Sequence, residues 1–254
     1  MPRMIAIANQ KGGVGKTTTA INLAASLAVA ECPVLLIDFD PQGNATSGLG
    51  CDPELPQGNI YDLLAGRKGL LDLVWKTGLP RLHLIPSHID LVAAEVELAE
   101  MSEREHLLKN RLSSQMLSYR FVVIDCPPSL GLLTLNALTA ADSVLIPVQC
   151  EYYAMEGLRQ ILDTVERVRQ SFNPALKIEG LLLTMFDGRN NLNQMVFKEM
   201  NTHFSHWVFK SVIPRNVVLA EAPSHGKPVI CYNAISRGAQ AYLALAQEVL
   251  EHAA

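Results

Sequence analysis

Short runs of nearly unbroken apolar residues recur along this chain, at Met4–Ala8, Val34–Phe39, Leu82–Pro86, Phe121–Cys126, Val144–Val148, Ile178–Thr184 and Val208–Ile213. A strand with one wet face would alternate apolar with polar residues. Continuous apolar character is what a parallel strand needs when helices cover both its faces. Between the runs lie longer amphipathic stretches, among them Thr17–Ala30, Leu107–Tyr119, Met155–Phe172 and Ile235–His252, which read as those helices. Strand–helix alternation of this kind predicts an α/β fold, a doubly wound, mostly parallel sheet with helices on both faces. No repeat, low-complexity linker or composition break interrupts it, so a single domain over residues 1–254 is expected. Gly48–Gly58, the segment richest in Gly and Pro, reads as a surface connection.

Composition narrows the class further. With 49 % hydrophobic and 18 % charged residues the chain has the material for a sizeable core and does not read as disordered. No apolar run approaches the roughly eighteen residues of a membrane span, and the N-terminal apolar stretch is too short for a signal peptide. Cys32, Cys51, Cys126, Cys150 and Cys231 are odd in number, widely spaced and free of any C-x-x-C pattern. That argues against a disulfide framework and against a zinc or iron–sulfur site. A soluble cytoplasmic protein is the expectation.

The most specific chemistry lies in Asn9-Gln10-Lys11-Gly12-Gly13-Val14-Gly15-Lys16-Thr17-Thr18-Thr19, where a first strand ends and a first helix begins. Glycines there let backbone N–H groups curl around phosphate oxygens, and the helix N-terminus adds its dipole. Lys16 can reach the β- and γ-phosphates, and Thr17 can place a hydroxyl on Mg²⁺. Gly12, Gly13, Val14, Gly15 and Thr18 complete the cradle. The strict phosphate-loop spacing wants a glycine where Gln10 stands, and a second lysine, Lys11, opens the loop instead.

Two carboxylate groups follow at strand ends, Asp38-Phe39-Asp40-Pro41-Gln42-Gly43-Asn44 and Asp125-Cys126-Pro127-Pro128-Ser129-Leu130-Gly131. The C-terminal edge of a doubly wound sheet is where ligands bind. Carboxylates beside a triphosphate repel it unless Mg²⁺ or water intervenes, so this placement implies metal and water chemistry. Acidic residues also end strands as helix caps, and Asp38 fits either role. The glycines and prolines of Pro41–Gly50 and Pro127–Gly131 would let both loops respond to a γ-phosphate.

The K-G-G-x-G-K-[ST]-T pattern resembles the deviant phosphate loop of the ParA/MinD ATPases. Asn9–Thr19, Asp38–Gly50, Asp125–Leu138, Pro147–Gly157, Ile213–Asn216 and Ala222–Pro228 together resemble the narrower ParA/Soj partitioning ATPases, over essentially the full chain. The resemblance implies ATP and Mg²⁺ as cofactors, with Asp125 holding Mg²⁺ through water and Thr17, Asp40 and Asp125 as the metal-proximal set. It implies that Asp40 positions the attacking water and that Lys11 reaches a partner subunit's phosphates in an ATP-bound homodimer. Pro214 and Asn216 become candidate adenine contacts, or else form only a turn and cap before a helix. A ParB-type centromere-binding partner that stimulates hydrolysis is implied as well, with a cytoplasmic, nucleoid-associated location.

Departures from neighbouring families carry information too. Membrane-cycling MinD proteins end in a basic amphipathic helix, whereas no Lys or Arg follows Arg237 here. A membrane anchor needs cationic residues on its polar face, so the tail reads as a packing helix and no membrane partner is expected. Metal-cluster carriers on this fold need paired cysteines. The phosphate loop starts within ten residues of the first, so a helix-turn-helix domain before it is not expected.

The net charge of −4 argues against DNA only until it is divided. Residues 177–237 hold seven basic and four acidic side chains, a balance of +3, and the remainder stands at −7. Phosphate contacts from such a basic region give non-specific, salt-sensitive binding. By resemblance, Arg189, Lys198, Arg215, Lys227 and Arg237 are assigned to non-specific double-stranded DNA, on a face completed by dimerisation. His203 and His206 have i,i+3 spacing without a third ligand and read as ordinary residues. Tyr152, Tyr153 and Met155 read as core or helix-entry packing, and Cys126 as a small buried strand-end residue.

Overall fold

The computed structural model describes residues 2–52, 57–112 and 118–252. Its strands are β1 (Arg3–Ile7), β2 (Val34–Asp38), β3 (Trp75–Lys76), β4 (Leu82–Ile85), β5 (Phe121–Asp125), β6 (Ser143–Gln149) and β7 (Lys177–Thr184). The helices are α1 (Lys16–Val29), α2 (Asn44–Gly48), α3 (Ile60–Leu64), α4 (Leu70–Leu73), α5 (Leu91–Leu98), α6 (Leu107–Leu112), α7 (Leu132–Ala140), α8 (Ala154–Ser171), α9 (Asn191–Phe204), α10 (Val217–Glu221), α11 (Val229–Tyr232) and α12 (Arg237–Glu251). The seven strands form one sheet in the order β3-β4-β2-β5-β1-β6-β7, parallel throughout except for β3 against β4.

Both faces of the sheet are covered, which explains the unbroken apolar runs. Along β2, Val34 and Leu36 pack on one face with Leu23 and Leu27 of α1 and Tyr242 of α12. Leu35 and Ile37 face the other layer with Leu138 of α7 and Leu158 and Ile161 of α8. Burying a side chain of this size contributes about 1.5–3 kcal/mol each, so the two layers lock the strand register. That register sets Asp38 beside Asp125 at the C-terminal edge.

The edge opposite carries a different junction. Glu179, fully buried at its side chain, accepts both terminal contacts of Arg3 at 2.6 and 2.8 Å and the Ser143 hydroxyl at 2.5 Å. His252, just past α12, lies 3.5 Å away. The start of β1 and the end of α12 therefore meet at one carboxylate.

Three expectations need correction. Val208–Ile213 is not a strand, because the chain bulges away from β7 in its middle. Trp207 and Phe209 bond with Leu181 and Ile213 with Leu183, but Lys210 and Ser211 donate to the Glu248 carboxylate on α12 instead. Phe209 fits there only because β7 has Gly180, where a Cβ would collide with its ring. Gly48–Gly58 is also more than surface: Gly48 packs under Ile21, and Leu49 and Cys51 are buried. Residues 53–56 of that segment lie outside the described residues. The third is Leu107–Tyr119, of which α6 covers Leu107–Leu112 and Ser118 and Tyr119 are not helical. Residues 113–117 lie outside the described residues. The β3 ribbon has no counterpart in the sequence reading; two residues are too few to leave a pattern.

Candidate nucleotide site

The loop after β1 is shaped by its own side chains before any ligand arrives. Asn9 donates to the Pro147 carbonyl at 2.7 Å and accepts from the Lys11 N–H at 3.0 Å, turning the chain beyond the sheet edge. Gly13 and Gly15 have φ of 75° and 87°, the left-handed region that favours glycine. Thr184, at the end of β7, donates to the Val14 carbonyl at 2.9 Å and props the loop from behind. Gly15 then opens α1, whose first turn holds no acidic residue to quench the positive end of its dipole. Lys16 is buried, donating to the Lys11 carbonyl at 3.1 Å. Burial lowers its pKa, and the charges of Asp125 and Asp40 act the other way.

Asp125 faces this loop with no exposed surface, and neither carboxylate oxygen accepts a hydrogen bond of full geometry, the Thr17 hydroxyl being the one side-chain donor that acts on it. Burial first, and the Asp38 charge next, push its carboxyl well above the usual range, while Thr17 and Lys16 oppose them. A buried carboxylate this poorly satisfied is costly unless a cation takes it up. No group of three His, Cys, Asp or Glu able to hold a metal occurs among the described residues. A cation here would therefore take Thr17 and Asp125 from the protein and its remaining oxygens from phosphate and water, as Mg²⁺ prefers.

Asp38 and Asp40 divide the work of the second loop. Asp38 accepts from the Thr46 N–H and hydroxyl, both at 2.7 Å, and from the Asp40 N–H at 3.3 Å. Burial still lifts its carboxyl to about 6. The Thr46 hydroxyl also accepts from the Ser87 N–H at 2.9 Å, tying the loop to the end of β4. Asp38 thus holds the loop, and Asp40, buried with one oxygen accepting from the Gln42 N–H, lines the cavity.

That cavity has a volume of about 460 Å³ and is lined by the glycines of the loop, Lys16, Thr17, Thr18, Asp40 and Pro128. A more apolar cleft of about 360 Å³ continues from it past Gly15, Thr18 and Met185, between Ile213, Pro214, Asn216, Leu219 and Tyr242. A phosphate chain fits the first and a flat base the second. Asn216 caps α10, accepting from the Val218 N–H at 2.8 Å, and also stands on the wall of the cleft. Lys11 lines neither. Its Nζ sits 2.6 Å from Glu151 of the same chain, the two side chains 37 % and 46 % exposed.

A family model described as an AAA domain matches residues 2–178. The sporulation initiation inhibitor protein Soj of Bacillus subtilis is 55 % identical over 249 residues, 98 % of each chain. The chromosome partitioning protein ParA of Myxococcus xanthus is 54 % identical, across 98 % of this chain and 88 % of its own. The chain belongs to the Soj/ParA family. Among solved structures, a protein named cobyrinic acid a,c-diamide synthase from Mycobacterium smegmatis, with bound ADP and magnesium, superposes with a TM-score of 0.87 at 39 % identity, covering 99 % of this chain and 95 % of that one. A putative plasmid partition protein from Borrelia burgdorferi bound to AMPPNP gives a TM-score of 0.85 at 28 % identity, covering 99 % and 100 %.

The five basic residues expected to contact DNA in this Soj/ParA-family chain are all exposed but not all together. Arg189, its side chain 91 % exposed, forks onto Asp187 at 2.8 and 3.0 Å and helps hold that carboxyl down near about 2. Arg215 also acts on Asp187, so the two arginines share one neighbourhood. Lys198 lies on α9, Lys227 follows Gly226, and Arg237 opens α12.

Tyr152 and Tyr153 correct the packing expectation. They stand before α8 at 77 % and 64 % exposure, their rings edge-on to each other with centroids 5.1 Å apart. Met155 is half-buried, and Cys126 is a buried strand-end residue as expected. Sequence reading missed Glu151, Thr46 and Thr184. Thr46 acts through its N–H and hydroxyl and Thr184 through its hydroxyl alone, roles that a threonine in sequence does not announce. Glu151 meets Lys11 across 140 positions of sequence.

Proposed function

We propose that this chain is a Mg²⁺- and ATP-dependent switch ATPase that forms an ATP sandwich dimer, binds non-specific DNA and partitions chromosomes or plasmids with a ParB-type partner. Residues 1–254 act as one ATPase domain. The single observation that carries the reading is Asp125, a fully buried carboxylate with no hydrogen bond of full geometry, set opposite the phosphate-loop lysine and threonine. Thr17 and Asp125 would hold Mg²⁺, with Asp40 beside them, and the ion would supply charge neutralisation at the β- and γ-phosphate oxygens.

The chain's own groups do the rest. Loop N–H groups and the α1 N-terminus bind phosphate oxygens, and Lys16 offsets charge on the β- and γ-phosphates. Asp40 orients the water that attacks the γ-phosphorus, giving ADP and phosphate. Pro214 and Asn216 flank the base. Lys11 leaves Glu151 and completes the partner subunit's site, where its charge counters that of the departing phosphoryl group. Arg189 and Arg215, with Lys198, Lys227 and Arg237, contact DNA phosphates, and two copies held rigidly together bind far better than one. Hydrolysis separates the dimer, so residence on the nucleoid follows nucleotide state. No helix among the described residues is long and apolar enough to cross a membrane.

ATPase activity measured alone, with DNA and with the purified ParB-type partner tests this. Stimulation by DNA plus partner is expected. No stimulation by either would sink the switch mechanism, and a requirement for a small-molecule acceptor would point instead to a synthase of the kind the Mycobacterium protein is named for.

A further inference from the structure

The acidic side of the charge split is concentrated. Residues 88–105 hold six carboxylates and one arginine, on and around α5. Leu91 and Leu98 bury the inner face of this helix, and the Tyr61 hydroxyl donates to Glu97 at 2.6 Å to fasten it to α3. Ile89, Val92 and Val96, spaced three and four apart, stand outward on one stripe, with Val96 73 % exposed and Met101 exposed beyond it. Glu97, Glu100 and Glu103, all exposed, lie on and just beyond the same helix, and Asp90 before it is exposed and paired with His88 at 3.0 Å.

This combination selects its occupant. Apolar side chains aligned in the open mark a contact surface. The carboxylate rim repels DNA and anionic lipid alike. A symmetric contact with a second copy would set the same carboxylates against one another. What fits is an amphipathic protein segment with an apolar edge for the stripe and Lys/Arg for the rim. The face also touches the nucleotide machinery. Glu95 lies over Gly131, whose added Cβ would come 2.5 Å from its Oε1, and Gly131 closes the loop that follows Asp125.

We infer that this α5 face is the docking surface for a basic amphipathic segment of the DNA-binding partner, seated where it bears on the Pro127–Gly131 loop. The inference rests on the partner reading above. A protein that holds centromeric DNA carries Lys/Arg-rich segments because it must neutralise phosphates, so the required chemistry is present in such a partner.

The test compares partner-stimulated ATPase of the full chain with that of the double variant Glu100→Lys/Glu103→Lys and of Val96→Ser. Both leave the phosphate loop, Asp40 and Asp125 untouched, and circular dichroism checks that the fold is kept. Reversing two rim charges should raise the half-saturating partner concentration by about tenfold or more, and Val96→Ser by a smaller factor. Basal activity and the ATP-bound dimer should be unchanged. Unaltered stimulation curves in both variants would overturn the site. So would loss of the dimer, which would assign the face to a second copy, or binding of the wild type to phosphatidylglycerol vesicles that the double variant alters. A wild-type chain that the partner never stimulates would remove the partner reading itself, and this shows before any substitution is made.

Discussion

Glu151→Gln should strengthen the ATP-bound dimer. In the single chain Lys11 is held by Glu151 at 2.6 Å, and a lysine so held cannot reach another subunit's phosphates. With side chains 37 % and 46 % exposed, the pair is screened by water and salt, and a pair of that kind is worth about 0.5–1 kcal/mol. The proposed sandwich dimer would break it in both subunits, so the total is about 1–2 kcal/mol, or roughly a 5- to 30-fold rise in the dimer constant once the charge is removed. Glutamine keeps an oxygen for Gln149, which donates to Glu151, so the local backbone has no reason to move. Sedimentation equilibrium with ATP, in an Asp40→Ala background that keeps nucleotide intact, measures the constant directly. The advantage should shrink as salt rises and vanish in a Lys11→Ala background. An equal or weaker dimer at low salt would refute the latch and mean that Glu151 serves the assembled interface instead.

Four further outcomes are expected. Gly12→Val should keep its thermal midpoint and bind ATP, because a Cβ there meets nothing within 4 Å in the single chain, but light scattering should show monomer where the branched side chain blocks close approach. Asp40→Ala should retain ATP and accumulate dimer, with phosphate release falling by more than roughly 100-fold. Arg189→Glu should dimerise normally and lose DNA in a low-salt mobility shift; wild-type binding there would move the interface elsewhere. For Asp38, the native carboxyl near about 6 lies above its unfolded value of 3.8, so the native state binds the extra proton and this group's contribution favours folding more at pH 4–5 than at pH 7. Asp38→Asn should therefore flatten the fall of the melting temperature between pH 5 and 7, and a slope identical to wild type would show that Asp38 does not titrate there.

Local chemistry was legible in the sequence, and contacts between distant strands were not. Strand ends, phosphate loop and both carboxylates are each written within about ten residues, where spacing and backbone preference act directly. The roles of Asp38 and Asp40 separate only when Thr46 of α2 binds Asp38 and Ser87, from the end of neighbouring β4, fixes the Thr46 hydroxyl. Glu151 and Thr184 matter because the order β1-β6-β7 sets their strand ends beside the loop, and no pattern in a single segment encodes that order. Val208–Ile213 has strand composition, but Glu248 offers its amides a better acceptor.

The junction at Glu179 has a practical consequence. Arg3 and His252 meet on the edge of the sheet where strands begin, a full strand length from the edge where Asp38 and Asp125 end theirs. Fluorophores placed beside Arg3 and His252 would start close together and separate when the sheet opens. That pair would follow unfolding while staying blind to nucleotide, and a second probe at Tyr153 could then watch the site on the same molecule.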